Sequence, residues 1–332
     1  MARSGYEHLE QESFDRPRRR TRPRTKDRPT YDDAHEAVVV TVDRGRYTCR
    51  LHADEEVVVT AMKSRPLGRK GVVVGDRVRL VGDVTGVAGA LARIVEVCER
   101  RTVLRRTADD DDPVERVVVA NADQLVVVVA LADPEPRTGL VDRALAAAYD
   151  AGIDPLLCLT KADLADPGPL VEIYRPLEVD YVVTSRGQDV GPLLERLTGR
   201  TSVLLGHSGV GKSTLVNALV PGAGRATGEV NDVTGRGRHT STSAVMLRLA
   251  DGSGWIVDTP GIRSFGLAHV DPARLIVAFP DLAEMAPECP RGCTHEATEP
   301  ECALDTAVAE GRLDLARVES YRRLLRSRET TY

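Results

Sequence analysis

No apolar run in this sequence is long enough to cross a bilayer. The longest, residues 117–120 and 125–131, are strand-sized, where a spanning helix needs about 20 residues. The N-terminus lacks an apolar signal core and carries Glu7, Glu10, Glu12 and Asp15, so secretion is not expected. Cysteine is sparse: six thiols, scattered except for Cys289, Cys293 and Cys302. That usage excludes a disulfide framework, fits a cytosolic protein and leaves one possible metal site. Strong charge of either sign is missing too. The formal net charge is −5 and the pI about 5.9, so bulk charge does not point to nucleic acid. Aromatic residues make up 4% of the chain, and Tyr47 is the lone one in residues 35–105. Base stacking in that region is therefore not supported.

What is present suits two or three domains, with 332 residues and 42% hydrophobic content. Residues 1–34 are polar and rich in Arg and Pro, with eight Lys/Arg and one acid between Arg16 and Arg28. Such a segment buries too little surface to offset ordering entropy, so a disordered basic arm is expected. Residues 35–105 alternate short β-rich runs (37–42, 47–51, 57–61, 76–81 and 86–97) with Gly-marked turns and no convincing helix. Five short strands predict a small β-barrel of the OB type. Backbone contacts with RNA are the expected mode, with Arg65, Arg69 and Lys70 in one loop as candidates. The acidic run Asp109 to Asp112 reads as a linker. From Arg116 the pattern turns α/β. Residues 117–120 and 124–130 are continuous apolar strands of the kind a parallel sheet covers on both faces.

The first chemical motif is Gly206-His207-Ser208-Gly209-Val210-Gly211-Lys212-Ser213, followed by Thr214. It reads GxxxxGK[ST] between a strand-like run (201–205) and a helical run (213–220), the context a phosphate-binding loop needs. Glycines let backbone N–H groups face phosphate oxygens at a helix N-terminus. Lys212 would reach the β/γ-phosphates and the Ser213 hydroxyl would ligate Mg²⁺. The second is Thr160-Lys161-Ala162-Asp163 after an apolar strand (155–159). It matches the [NT]KxD box, in which Asp163 would accept from guanine N1–H and its exocyclic amine while the Lys161 stem lies along the base. Thr184-Ser185-Arg186 closes another strand and suits a loop backing the base, with Ser185 the expected contact. Residues 227–242 read as a polar Gly- and Arg-rich loop. Thr240, ahead of Thr242 and Thr234, is the Thr expected to meet Mg²⁺. Two strands (243–249 and 254–257) joined at Asp251-Gly252 then lead to Asp258-Thr259-Pro260-Gly261, a DxxG box.

The elements of a Ras-like GTPase are complete but rotated: TKAD and TSR precede the phosphate loop, and DTPG follows it. This order, with the GRGRHTST stretch (235–242), the barrel in front and a Cys/His cluster behind, resembles the ribosome small-subunit-dependent GTPase A (RsgA/YjeQ) family over residues 36–325. The resemblance implies an OB-fold, a circularly permuted GTPase domain and a zinc-binding helical domain. It also implies late maturation of the small ribosomal subunit, with rRNA binding and subunit-stimulated hydrolysis. The expected bounds are 1–34 for the arm, 35–105 for the barrel, 106–265 for the GTPase domain and 266–332 for the zinc domain. Cys289, Cys293, His295 and Cys302 supply three thiolates and one imidazole, a closed set for one structural Zn²⁺. The family's usual first interval is one residue longer and its last one shorter.

One expected part is absent. Many Ras-like enzymes place a water-orienting Gln after DxxG, where this chain has Ile262 and Arg263. His239 is the candidate within the chain to orient the water. The expected activity is GTP to GDP and phosphate, with GTP/GDP, Mg²⁺ and one Zn²⁺ as ligands, in a cytoplasmic monomer with no membrane partner. Two rivals remain: a phosphotransferase using ATP on a small molecule, against which TKAD and DTPG argue, and a non-catalytic GTP-dependent RNA-binding scaffold. The arginines at 317, 322, 323, 326 and 328 on a late helical run suit either rRNA phosphates or solubility.

Overall fold

The computed structural model describes residues 31–68, 71–106, 116–224, 244–259 and 270–327. Outside them lie residues 1–30 of the basic arm, Arg69, Lys70, Asp109 to Asp112, Arg328, and the expected site residues Thr234, His239, Thr240, Thr242, Gly261 and Ile262. The barrel, the sheet and the C-terminal helices belong to one unit, Asp33–Tyr332.

Alternating burial builds the barrel. Strands β1 (His35–Asp43), β2 (Arg46–Leu51), β3 (Val58–Lys63), β4 (Arg77–Gly82) and β5 (Ala92–Val97) turn every second residue inward. Val39, Cys49, Val59, Val78, Leu80 and Ile94 are wholly buried. The pairing runs β1-β2-β3-β5-β4 and β4 returns to β1, which closes the barrel. Arg44 and Gly45, both at positive φ, make the two-residue turn between β1 and β2. The last strand is shorter than the apolar pattern suggests. It starts at Ala92, because Gly86 and Gly89 take left-handed conformations and a side chain at Gly86 would lie 2.9 Å from the Val58 carbonyl oxygen.

Residues 117–120 are not part of the parallel sheet. They form β7 (Arg116–Ala120), which pairs antiparallel with β6 (Val103–Arg106) in a separate ribbon. β7 is apolar because it is wedged against the barrel: Val74 bridges Val119, and Ala120 N–H donates to the Val74 carbonyl at 3.0 Å. Asn121 fastens the joint, donating to the Gly75 carbonyl at 2.9 Å and accepting from Arg101 N–H.

The α/β layer follows from strands apolar on both faces. β8 (Gln124–Ala130), β9 (Asp154–Thr160), β10 (Asp180–Val183), β11 (Thr201–Leu205), β12 (Val245–Arg248) and β13 (Trp255–Asp258) are ordered β10-β9-β8-β11-β13-β12. All are parallel save β12, which pairs antiparallel with β13. Val127, Val129, Leu157, Leu159 and Leu205 face a core shared with α1 (Thr138–Ala151) and α2 (Gly168–Tyr174). The alternate residues Val126, Val128, Leu156, Cys158 and Leu204 face α3 (Gly191–Leu197) and α4 (Lys212–Leu219). β12 meets the barrel at one register pair, Thr41 with Val245.

Beyond the sheet come α5 (Pro272–Val277), α6 (Pro280–Met285), α7 (Ala303–Ala309) and α8 (Leu315–Ser327). Asp271 caps α5 by accepting from Ala273 N–H at 2.9 Å. Phe279 stacks edge-on between Tyr149 of α1 and Tyr321 of α8, so these helices extend the α1 core. Three of the late arginines, Arg317, Arg322 and Arg323, are engaged in internal pairs, while Arg326 is exposed. Arg317 pairs with Asp281 and caps the Phe279 ring. Arg322 is buried and bidentate to Asp305. Arg323 pairs with the buried Asp142 of α1. They fasten the C-terminal helices internally. No helix among the described residues is long and apolar enough to cross a membrane.

The joint between barrel and ribbon yields a prediction. Gly75 has φ +86°, and a Cβ there would lie 2.0 Å from the Ala120 carbonyl oxygen. Gly75→Ala is expected to cost about 3 kcal/mol or more, read by urea denaturation. A loss below about 1 kcal/mol would contradict the packing described.

Candidate functional site

The phosphate loop is shaped by what its glycines permit. β11 ends buried at Leu205, and a side chain at Gly206 would lie 2.9 Å from the Val128 carbonyl oxygen. Gly209 and Gly211 take left-handed conformations at φ 85° and 90°, which turn the chain into α4 at Lys212. Ser213 and Thr214 occupy the first turn of α4, and His207 and Ser208 lie on the loop's open side, half-buried and exposed. The side chain of Lys212 is 13% exposed and forms an ion pair with Asp258 Oδ1, itself 7% exposed. Asp258 arrives from β13, in register with Leu204 of β11. Two motifs 46 residues apart thus meet at one edge of the sheet.

The base-reading loop reaches the same edge from β9. The buried Thr160 hydroxyl donates to the Val210 carbonyl at 2.6 Å, so TKAD and the phosphate loop are held by one bond. Lys161 sits at φ 59° and its ammonium donates to the Asp133 carbonyl. Asp163 is exposed in the turn that follows. Thr184 N–H donates to the Leu159 carbonyl at 2.8 Å and Ala162 N–H to the Thr184 carbonyl at 3.3 Å, which sets Ser185 beside the box. Sequence reading missed the loop 133–137. It follows β8 at the same edge, approaches the phosphate loop through Pro134 near Gly209, and lines a shallow cleft together with Leu140 and His207. Its signal was its place after a parallel strand, at the end where such sheets bind ligands.

The second cluster lies in the C-terminal helices. The ligand atoms of Cys289, Cys293, His295 and Cys302 all lie within 4.8 Å of one another. His295 Nδ1 stands 3.5, 3.6 and 3.8 Å from the three sulfurs. An S–N edge of roughly 3.6 Å follows from a tetrahedron with Zn–S about 2.3 Å and Zn–N about 2.05 Å. The donor set is therefore compatible with zinc, and the altered intervals do not spoil it. Ala303 N–H, in the first turn of α7, donates to Cys289 Sγ, and His295 N–H to Cys293 Sγ. Both bonds favour thiolates. Arg322 donates to the His295 carbonyl at 2.9 Å, which steadies that left-handed residue. Burial, with the charge of Arg322 adding to it, holds the His295 imidazole below its ordinary pKa. Burial pushes the Cys289 thiol up and the Cys293 thiol up to about 11.

Comparison with known proteins follows the same lines. The RsgA GTPase family model matches residues 97–268. The chain is 37% identical over 299 residues to the small ribosomal subunit biogenesis GTPase RsgA of Chlorobaculum parvum, covering 87% of this chain and 94% of that protein. It is 40% identical over 271 residues to the Pseudomonas aeruginosa protein of the same name, covering 79% and 77%. The crystal structure of YjeQ from Thermotoga maritima superposes with a TM-score of 0.65 at 28% identity, covering 89% of this chain and 99% of that one. YloQ, a circularly permuted GTPase, superposes at 0.63 with 24% identity over 91% and 98%, a likeness of fold alone.

The metal cluster carries a pH prediction. Without a metal, Cys289 and Cys293 are protonated at pH 7, and ligation requires thiolates. Zinc uptake should release about two protons or more per ion, and affinity should fall about a hundredfold per pH unit on acidification. Calorimetry in buffers of different ionisation enthalpy measures this. Proton-independent uptake would contradict the thiolate set.

Proposed function

The chain belongs to the RsgA GTPase family, and from that membership we propose a guanine-nucleotide cycle that times small-subunit maturation through the residues described above. It hydrolyses GTP and acts in small ribosomal subunit biogenesis, work that belongs to the bacterial cytoplasm. The observation that carries the residue assignment is the convergence of Thr160 with Val210 and of Lys212 with Asp258 at one sheet edge.

In this reading Asp163 accepts from guanine N1–H and the exocyclic amine, Lys161 lies along the base and Ser185 backs it. The loop from Gly206 to Thr214 wraps the phosphates with backbone N–H groups. Lys212 would exchange Asp258 for phosphate oxygens, which would free Asp258 to help hold the metal. Ser213 and Thr240 would hold Mg²⁺, which would supply charge neutralisation at the phosphates. Gly261 N–H meets the γ-phosphate, and His239 orients the attacking water in place of the absent Gln. Zinc, held by Cys289, Cys293, His295 and Cys302, fixes the knuckle between α6 and α7. A monomer is proposed.

The partner is the small subunit with its rRNA. On the barrel's outer face the register sets Arg46 opposite Met62 and Met62 opposite Arg93 across β2, β3 and β5, all three exposed. Arg65 is exposed on the adjoining turn. Such a basic, non-aromatic face suits phosphates better than bases and makes binding weaken with salt.

Phosphate release with and without purified small subunits tests the proposal. The unmodified protein should turn over faster with subunits. His239→Ala should bind GTP as before and lose subunit-stimulated turnover by about 10²- to 10⁴-fold. Undiminished stimulation in that variant sinks the role given to His239. Failure of the unmodified protein to respond to subunits would favour the scaffold reading.

A further inference from the structure

Trp255 is the single tryptophan of the chain, and it stands where the barrel meets the nucleotide-binding sheet. It opens β13, three residues before Asp258. Two guanidinium groups lie over its ring from different bodies. Arg50 of barrel strand β2 is 5.7 Å from the ring, and Arg248 of β12 is 5.9 Å away. Cations this close to an indole face are attracted by its quadrupole. Arg248 also pairs with Glu56 at 3.1 Å and Glu55 at 3.4 Å, both in the loop between β2 and β3. Arg50 donates to the Glu55 carbonyl in that loop. Arg248 Nε is buried without a hydrogen-bond partner, so the ring and the two carboxylates fix this side chain.

The ladder carries the contact onward. Thr41 of the barrel pairs with Val245, Val245 with Asp258, and Asp258 with Leu204 of the strand that launches the phosphate loop. Arg248 is the partner of Trp255 in the same hairpin. A shift of Asp258, the residue paired with Lys212, is thus one strand removed from the barrel. We propose that the β12–β13 hairpin couples the nucleotide site to the barrel, with Trp255, gripped by Arg50 and Arg248, as its joint. This rests on the GTPase reading for its ligand and adds the route by which the barrel senses that ligand. Coupling of this kind is reciprocal: what the barrel holds biases the nucleotide, and the nucleotide biases the barrel.

The single tryptophan makes the test direct. Trp255 emission of the full chain is recorded at saturation with Mg·GDP and with a non-hydrolysable Mg·GTP analogue. Binding is measured separately by displacement of a fluorescent guanine nucleotide. The two saturated states should differ in emission. Arg50→Gln, in the barrel and outside the nucleotide machinery, should abolish most of that difference while nucleotide still binds. Arg248→Glu should do the same, whereas Arg248→Lys, which keeps a cation for the ring and the carboxylates, should retain most of it. If Arg50→Gln does not fold, the comparison of Arg248→Glu with Arg248→Lys decides alone. Identical emission in both saturated states overturns the proposal, and so does a difference undiminished in Arg50→Gln and Arg248→Glu. Loss of nucleotide binding in the unmodified protein would instead overturn the GTPase reading.

Discussion

One hydroxyl holds the nucleotide site together. Thr160 is buried at the end of β9 and donates to the Val210 carbonyl inside the phosphate loop. A buried carbonyl left without a donor costs about 1–3 kcal/mol, so the two loops are fixed relative to each other before any ligand arrives. The parallel register of β9, β8, β11 and β13 does the rest. It delivers TKAD, the phosphate loop and Asp258 to one edge, whatever their order along the chain. Circular permutation changes which loops connect, and this register is what it leaves intact.

The Lys212–Asp258 pair follows from the same convergence. Both side chains are nearly buried, and a lone charge at either position would be costly. Each neutralises the other in this pair. In the proposed cycle ligand entry exchanges partners at Lys212 and Asp258, and the strand paired with Asp258 is the one that bears on the barrel. On the opposite side, α8 and Phe279 tie the C-terminal helices to α1, whose first turn lines the cleft beside His207. The nucleotide site therefore sits between two attached bodies.

Most of this could be read from residues, and what could not has a physical cause. The motifs were legible because each obeys backbone geometry: glycines at positive φ in the phosphate loop, and TKAD at the end of an apolar strand. The barrel was legible from strand periodicity. The ribbon strand β7 was not, since Val117 to Val119 are as apolar as a parallel strand while their partners, Val74 and β6, lie elsewhere in the sequence. The internal pairing of Arg317, Arg322 and Arg323 was hidden for a similar reason. Their acids, Asp142, Asp281 and Asp305, are 181, 36 and 17 residues away, and sequence reading sees charge but not pairing. The Trp255 joint was invisible on the same grounds, being assembled from β2, a barrel loop and two strands of the sheet.

In the proposed function one guanine nucleotide spans both loops, its base read by Asp163 and its phosphates by Lys212. Displacement of a bound fluorescent guanine nucleotide by GTP, ATP and xanthosine triphosphate, on the unmodified chain and on Asp163→Asn, tests it most directly. A carboxylate accepts from guanine N1–H and amine, whereas an amide donates to the xanthine 2-carbonyl. ATP should bind at least about a hundredfold more weakly than GTP on the unmodified chain, and xanthosine triphosphate should gain over GTP in the variant. Equal competition by ATP and GTP on the unmodified chain would contradict it.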